Sequence, residues 1–190
     1  MRTYLSIDLD FWNDLNAAEI TLSRLLLRRG DIPAIAVMNH QQLLQSINRS
    51  GADFLVNVDE HSDLTNTDVN IFTCGTWVSY VKWRTQGQYL WVRNQQGTNH
   101  GNCNHGQKSW NTGSDWYSTN TIFATQEVDL RQYLKDCVGI GLCLSPSFCV
   151  FGAEDLFKML VKAFHIPYRK GQANEYNNLQ YRRPPDITAA

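Results

Sequence analysis

The chain has 190 residues, of which 43% are hydrophobic and 18% are charged, with 17 basic and 18 acidic side chains. This length suits one domain with a sizeable core, and the balanced charge argues against a nucleic-acid-binding surface or a polybasic membrane patch. The sequence contains no apolar run near the roughly 18 residues of a membrane span. It reaches two aspartates by position 10, where a signal peptide would need its apolar stretch, so we expect a cytoplasmic protein.

Two residue types refine this expectation. The acidic residues are 13 Asp and only 5 Glu, and aspartate is common in turns and metal sites but is a weaker helix former. The five cysteines are odd in number and have no Cys-x-x-Cys spacing. We therefore expect reduced thiols rather than disulfides or a zinc site.

Predicted strands and helices alternate over the first 60 residues. The apolar patterns predict strands at 4–10, 32–38 and 54–58, and helices at 17–29 and 41–48. This order favours right-handed crossovers and a parallel sheet with helices on its faces.

The middle of the chain has a different composition. Residues 77–83 and 89–93 are rich in aromatic side chains and predict a hairpin. Residues 94–120 are polar and rich in Gly and Asn, which indicates a long loop. Since long loops inside compact domains are usually functional or disordered, we interpret the aromatic segment 76–120 as functional.

Regular structure is predicted again after this segment. Residues 138–144 predict a buried strand, and residues 153–164 predict a helix. The polar segment 168–190 is expected to be a surface or disordered tail. With no internal repeat, residues 1–190 are interpreted as a single domain.

Acidic and imidazole side chains follow three predicted strands. They are Asp8, Asp10, His40, Asp59, His61 and Asp63. Alternate residues of a strand share a face, and the carboxyl ends of parallel strands meet at the edge where open α/β sheets bind ligands. Any one of these groups alone could be a turn or cap residue. Their agreement at consecutive strand ends predicts a metal centre.

Charge arithmetic predicts the number and kind of ions. Four converging carboxylates without a counter-charge would repel one another and take up protons. Two divalent cations would cancel the four charges. Oxygen-rich ligation with two imidazoles and no thiolate favours manganese, followed by iron or cobalt, over zinc.

Two motifs resemble those of a known superfamily. Asp59-Glu-His-Ser-Asp63 resembles the Asp-x-His-x-Asp motif of the arginase, agmatinase and deacetylase superfamily, and Ser6-Ile-Asp-Leu-Asp10 resembles its Ser-x-Asp-x-Asp motif. Their order is reversed relative to ordinary arginases, as in a circular permutation. With the small size and a Ser-Pro-Ser segment at 145–147, this resembles a compact family that includes the peptide arginases. Those enzymes convert arginine side chains of ribosomal precursor peptides to ornithine.

The resemblance covers residues 3–65 and 138–164. It implies a permuted, arginase-like three-layer α/β fold with a mostly parallel sheet and two Mn²⁺ ions that activate water for urea release. The implied ligands are the bridging pair Asp8 and Asp59, with His40 and Asp63 on one ion and Asp10 and His61 on the other.

The substrate-handling residues are less well defined. Two Asn-His-Gly triplets carry His100 and His105, and either imidazole could protonate the leaving amine or be an ordinary loop histidine. Arginases hold the guanidinium with a glutamate after a late strand, a position without an acid here. Glu60, Glu154 or Asp115 could substitute, although each could equally be a surface acid or, for Glu154, a helix-dipole residue.

The concentration of tryptophan in the segment 76–120 suggests the class of substrate. Trp77 and Trp110 are candidates for contact with an extended peptide, with core packing as the alternative. The expected partner is a precursor peptide, with no nucleic acid and no membrane. Three alternatives remain: a ureohydrolase for a small free guanidino compound, a related amidohydrolase or deacetylase, and a non-catalytic binding module.

Overall fold

The computed structural model describes residues 1–64, 72–83, 87–96, 110–112 and 115–169, with the backbone alone at 110–112 and 115–119. The strands of this part are β1 (Thr3–Asp8), β2 (Ala34–Val37), β3 (Phe54–Val58), β4 (Gly87–Asn94), β5 (Trp110–Thr112), β6 (Asp115–Ala124), β7 (Cys137–Cys143) and β8 (Tyr168–Arg169). The α-helices are α1 (Leu15–Arg28), α2 (Leu44–Ser50) and α3 (Ala153–Ala163). Short 3-10 helices cover Leu9–Phe11, His40–Leu43, Trp77–Tyr80 and Leu130–Tyr133.

All eight strands belong to one sheet, in the order β5-β6-β4-β3-β1-β7-β2-β8. Neighbouring strands are parallel, except for the antiparallel pair β5 and β6. Helices α1 and α3 pack on one face of the sheet, and α2 packs on the other. The predicted three-layer α/β class with a mostly parallel sheet is therefore confirmed.

Alternate residues of the central strand β1 face different layers. Leu5 and Ile7 belong to the core formed with α1 and α3, whereas Tyr4 belongs to the core formed with α2. Because Ser6 and Asp8 alternate with Leu5 and Ile7, they share the α2 face of the sheet. Strand β1 therefore presents apolar side chains to the layer of α1 and α3, and the polar Ser6 and Asp8 to the layer of α2.

The close approach of the second layer to β7 depends on Gly141. A Cβ atom at this position would lie 2.5 Å from Cδ1 of Leu43, a fully buried side chain. Leu43 ends the short helix that begins at His40, directly after β2. The glycine therefore allows this helix, and His40 with it, to lie against the sheet.

The predicted hairpin is wrong. Trp77–Tyr80 is a 3-10 helix, and β4 lies between β3 and β6, parallel to both. Tyr89 and Trp91 pack in the core with α2, while Leu90 and Val92 pack in the core with α1 and α3. A run that is buried on both faces belongs inside a parallel sheet, where neither face meets water.

The predicted loop 94–120 also needs correction. Strands β5 and β6 begin inside the loop region, and the β-branched and aromatic residues of β6 suit a strand near the sheet edge. The tail begins with β8, which pairs with Ala36 and Val37 of β2. Residues 170–190 lie outside the described part.

The other predicted elements are confirmed at their places in the chain, and β3 has the predicted bounds of 54–58. Within the described residues, the helices are too short or too polar to cross a membrane.

Candidate metal centre

Four parallel strands deliver polar side chains to one edge of the sheet. Asp8 is the last residue of β1, His40 follows β2, and Asp59 directly follows β3. Ser145 lies just beyond the end of β7. The carboxyl ends of these neighbouring strands meet, as the spacing of the motifs predicts.

The first group of side chains surrounds the imidazole of His40. Its Nδ1 atom lies 3.3 Å from Oδ2 of Asp8, 2.9 Å from Oδ2 of Asp59 and 3.0 Å from Oδ2 of Asp63. All four residues are buried. Although these oxygens are close, Nδ1 has no hydrogen-bond partner with acceptable geometry. Since buried polar atoms are normally satisfied, this convergence fits a cation among the four groups.

The second group is formed by Asp10, Asp59 and His61. The Nδ1 atom of His61 lies 3.0 Å from Oδ2 of Asp10 and 3.7 Å from Oδ1 of Asp59. One ligand atom from each residue lies within 4.8 Å of the others, and the same holds for Asp8, His40 and Asp59. Asp59 therefore offers one carboxylate oxygen to each group.

The backbone reaches this arrangement by bending, which the strand-alternation argument did not predict. Strand β3 ends at Val58, and Asp63 adopts a left-handed conformation with φ of 51°. Aspartate tolerates this conformation better than most residues, because its short side chain can bond locally. In the bend, the backbone N–H of His61 donates to Oδ1 of Asp59 at 2.7 Å. The turn brings Asp63 towards His40.

Asp10 is also carried by a turn. It lies in the short helix Leu9–Phe11, and its backbone N–H donates to Oδ1 of Asp8 at 3.3 Å. Asp8 thus helps to place the next candidate ligand.

Surrounding side chains fix the orientation of His40. The Oγ atom of Ser6 lies 2.6 Å from Nε2 of His40, and the indole of Trp77 packs on the imidazole with ring centroids 4.9 Å apart. If Nε2 carries the proton and donates to Ser6, Nδ1 is left as the electron-pair donor that faces the carboxylates.

Each carboxylate of the first group has its own hydrogen-bond donor. The indole N–H of Trp77 donates to Asp63. The hydroxyl of Ser145 donates to Oδ2 of Asp8 at 2.5 Å, and the amide of Asn57 donates to Oδ2 of Asp59 at 3.1 Å. Such second partners orient metal ligands in proteins.

Sequence reasoning gave Ser6, Ser145 and Asn57 no role in supporting the ligands, and it interpreted Trp77 as a candidate substrate contact. A signal was present for two of them, because Ser6 and Asn57 stand two positions before Asp8 and Asp59 in apolar strands. They must share the face of those ligands, and a buried polar group needs a partner.

The electrostatics show how strongly the acids are crowded. Burial raises the pKa of Asp10 well above its ordinary value, and the charges of Asp8 and Asp59 raise it further. Burial, with the charge of Asp59, raises the pKa of Asp63 to about 8. With a pKa of about 8, the carboxyl group of Asp63 keeps its proton at neutral pH and so adds no further negative charge to the crowded acids.

The imidazoles respond to the same carboxylates. Hydrogen bonds to Asp10 and then Asp59 raise the pKa of His61 to about 11. Burial by itself would lower the pKa of His40, but Asp59, Asp63 and Asp8 raise it well above its usual value. For Asp59, burial is outweighed by His40 and His61, so its pKa falls below the ordinary range.

The donor set, in two groups that share Asp59, could hold a metal ion. Four buried carboxylates and two imidazoles converge, and two divalent cations would balance the four negative charges that protons otherwise balance. The side chains that meet are the six predicted from the sequence.

The remaining candidate residues lie in varied surroundings. Glu60 is partly buried, and its backbone N–H donates to Oδ1 of Asp10 at 3.3 Å. Glu154 is exposed in the first turn of α3 and pairs with Lys158 at 2.7 Å. Trp77 is fully buried, and its contacts with Asp63 and His40 make it a support for the ligands rather than an exposed substrate surface.

Four candidate side chains fall outside what the structure describes. His100 and His105 lie outside the described residues, and Trp110 and Asp115 are described only through their backbones in β5 and β6. Their functional roles stay predictions.

No family model, curated protein or solved structure matches this chain. The geometry of the site and the two motifs at 6–10 and 59–63 are what support a function.

Proposed function

We propose that this protein is a hydrolase with two manganese ions that converts arginine side chains of a precursor peptide to ornithine and urea. The observation that carries the proposal is the placement of Asp59. Its Oδ2 lies 2.9 Å from His40, while its Oδ1 lies 3.7 Å from His61. A carboxylate that reaches two ligand groups with its two oxygens suits a bridge between two cations.

The chain's own contribution is to hold these ligands in a fixed arrangement. Asp8, His40, Asp59 and Asp63 would hold one ion, while Asp10 and His61, with the bridging carboxylates, would hold the other. A bound pair of divalent ions supplies a strong nucleophile at neutral pH by lowering the pKa of water. The hydrogen bonds between the ligands and Ser6, Ser145, Asn57 and Trp77 restrict the ligands to this orientation.

The charge of the centre supports a guanidinium substrate. Four carboxylates and two divalent cations sum to zero, so a positively charged side chain meets no net repulsion. For the protonation of the leaving amine, we propose His105 or His100, on the basis of their Asn-His-Gly surroundings.

An open approach to the centre supports a peptide rather than a free amino acid. The side chain of His61 is 33% exposed, whereas those of His40 and Asp59 are 2% exposed. The exposed side chains of Phe148 and Phe151 follow β7, and the ring of Phe148 touches that of His61. A half-open, aromatic approach suits one side chain of a longer chain. We also propose a cytoplasmic location, as the composition predicts.

The test is an incubation of the full chain, loaded with Mn²⁺, with a synthetic peptide that contains one arginine. We expect urea release and a peptide lighter by the mass of cyanamide, the difference between arginine and ornithine. Neither change should occur when a chelator has removed the manganese, or when the peptide has lysine in place of its arginine.

Other substrates in the same assay separate the alternatives. Free arginine cleaved as efficiently as the peptide would indicate a small-molecule ureohydrolase. Hydrolysis of an acetyl-lysyl peptide would indicate a deacetylase-type amidohydrolase. A fully loaded protein with no activity on any of these substrates would overturn the proposal.

A further inference from the structure

The loop after β7 serves the centre in two ways. The hydroxyl of Ser145 donates to Asp8 at 2.5 Å, and three residues later the ring of Phe148 makes an edge contact with His61, with ring centroids 5.1 Å apart. One loop therefore contacts Asp8, a candidate ligand in the group around His40, and His61, a candidate ligand in the second group.

This loop holds its aromatic residue firmly. The backbone N–H of Ser145 donates to the carbonyl of Met38 at 2.9 Å, and the N–H of Phe148 closes a turn onto the carbonyl of Ser145 at 2.9 Å. Ser145 itself has a left-handed φ of 45°. Such a turn fixes the position of the backbone that carries the aromatic ring beside His61.

The side chain of Phe148 is 57% exposed, so its ring is accessible to a ligand that arrives from the solvent. Its ring borders His61, the more exposed of the two candidate imidazole ligands. A substrate that enters from the solvent on this side must pass the ring.

The chemistry of the proposed substrate explains this placement. The four carboxylates of the centre are committed to cations, so an incoming guanidinium needs another electron-rich surface. Guanidinium groups are planar, weakly hydrated cations that stack on aromatic faces. The position after β7 also has no acid that could hold the guanidinium.

We propose that Phe148 is a specificity-determining residue that receives the guanidinium of a peptidyl arginine on its ring. This inference rests on the proposed function and adds the group that recognises the cation. It assigns recognition of the guanidinium to an aromatic ring. The alternative is that the carboxylate of Glu60 binds the guanidinium.

The test compares Phe148→Leu, Phe148→Trp and Phe123→Leu in the full, manganese-loaded chain. Phe123 is a matched control, because it is 64% exposed and lies on β6, where its ring faces Arg93. We expect Phe148→Leu to raise the KM for an arginyl peptide about tenfold, with kcat changed by less than about twofold. Phe148→Trp and Phe123→Leu should stay within about threefold of the wild type.

A second measurement separates cation recognition from simple apolar contact. A citrulline peptide has nearly the same shape without the charge, so its inhibition constant should change less than about twofold in Phe148→Leu. An unchanged KM for the arginyl peptide, an equal loss for both peptides, or a loss of bound manganese in Phe148→Leu would each overturn the inference. The inference would also be overturned if Glu60→Gln raised the KM for the arginyl peptide and Phe148→Leu did not.

A failure of the proposed function can be distinguished from a failure of the role of Phe148. If the wild type releases no urea, the proposed function fails, and the comparison is made by calorimetric binding of the arginyl peptide. Equal binding by the wild type and Phe148→Leu would then overturn the role of Phe148 by itself. Weaker binding by the variant alone would support it.

Discussion

The two ligand groups that share Asp59 differ in burial and in support. The side chain of His40 is 2% exposed, with Ser6 on Nε2 and Trp77 against its ring. The side chain of His61 is 33% exposed and borders Phe148. Because burial and second partners restrict a ligand, the His40 group suits firm retention of an ion. The His61 group combines a ligand with access from solvent, as a substrate requires.

The largest expected effect comes from the residue that belongs to both groups. Asp59→Asn keeps the size of the side chain but removes its charge. We expect the loss of both proposed manganese ions. Loss of a partner that only supports a ligand lowers metal affinity by roughly 10–100-fold, and loss of the ligand Asp59 should lower the manganese affinity by more than this. Metal analysis after gel filtration measures this effect. The exposed Asp31→Asn is the control, and two ions retained by Asp59→Asn would contradict the bridging role.

The next effect separates the two groups. We expect His40→Ala to lose the ion that is bound more tightly, whereas His61→Ala retains one ion per chain and loses the weaker one. Manganese titration followed by calorimetry distinguishes the two outcomes. Each variant is expected to keep one ion, so the affinities of the retained ions are compared, weak in His40→Ala and tight in His61→Ala. Equal affinities for the retained ion in the two variants would mean that the difference in burial has no bearing on metal retention.

The difference between the groups also marks what could be predicted from sequence. The six candidate ligands were found because polar residues at the ends of parallel strands must meet at one edge. Ser145 on Asp8 and Trp77 on Asp63 are contacts between segments distant in the chain, 137 and 14 residues apart. Spacing within one element carries no information on such contacts.

The errors in the fold have a similar cause. The aromatic alternation around Tyr89 indicates a strand, but proximity in sequence does not determine which strands it pairs with. Burial on both faces placed it beside β3 instead. The bend at Asp63 was missed because a left-handed aspartate depends on the groups that it approaches.

A smaller effect is a pH-dependent stability of the metal-free protein. The pKa of Asp63 is raised to about 8 and that of His61 to about 11, so the folded state holds protons that the unfolded chain releases at lower pH. The stabilisation from a raised pKa is present at low pH and is lost as the pH rises towards the folded value. We expect Tm to fall by about 5 °C between pH 6 and pH 9, measured by calorimetry.

Bound manganese should flatten or reverse this slope, because cations replace the protons and ligands bind them in deprotonated form. The control is Asp63→Asn, since asparagine tolerates the left-handed backbone and does not titrate. A metal-free Tm that rises over this pH range, or an unchanged slope in Asp63→Asn, would contradict the assignment.

The smallest expected effect tests whether the buried group owes its firmness to supporting partners. Trp77→Phe keeps an aromatic ring beside His40 but removes the indole N–H that donates to Asp63. We expect manganese affinity at the tighter site to fall about tenfold, because a carboxylate that lacks its partner is less well oriented. The matched control is Trp12→Phe, which removes an indole hydrogen bond of 2.8 Å to the carbonyl of Gln126. Equal affinities in both variants would show that the tighter binding comes from burial alone, since each variant loses one indole donor and only Trp77 touches a candidate ligand.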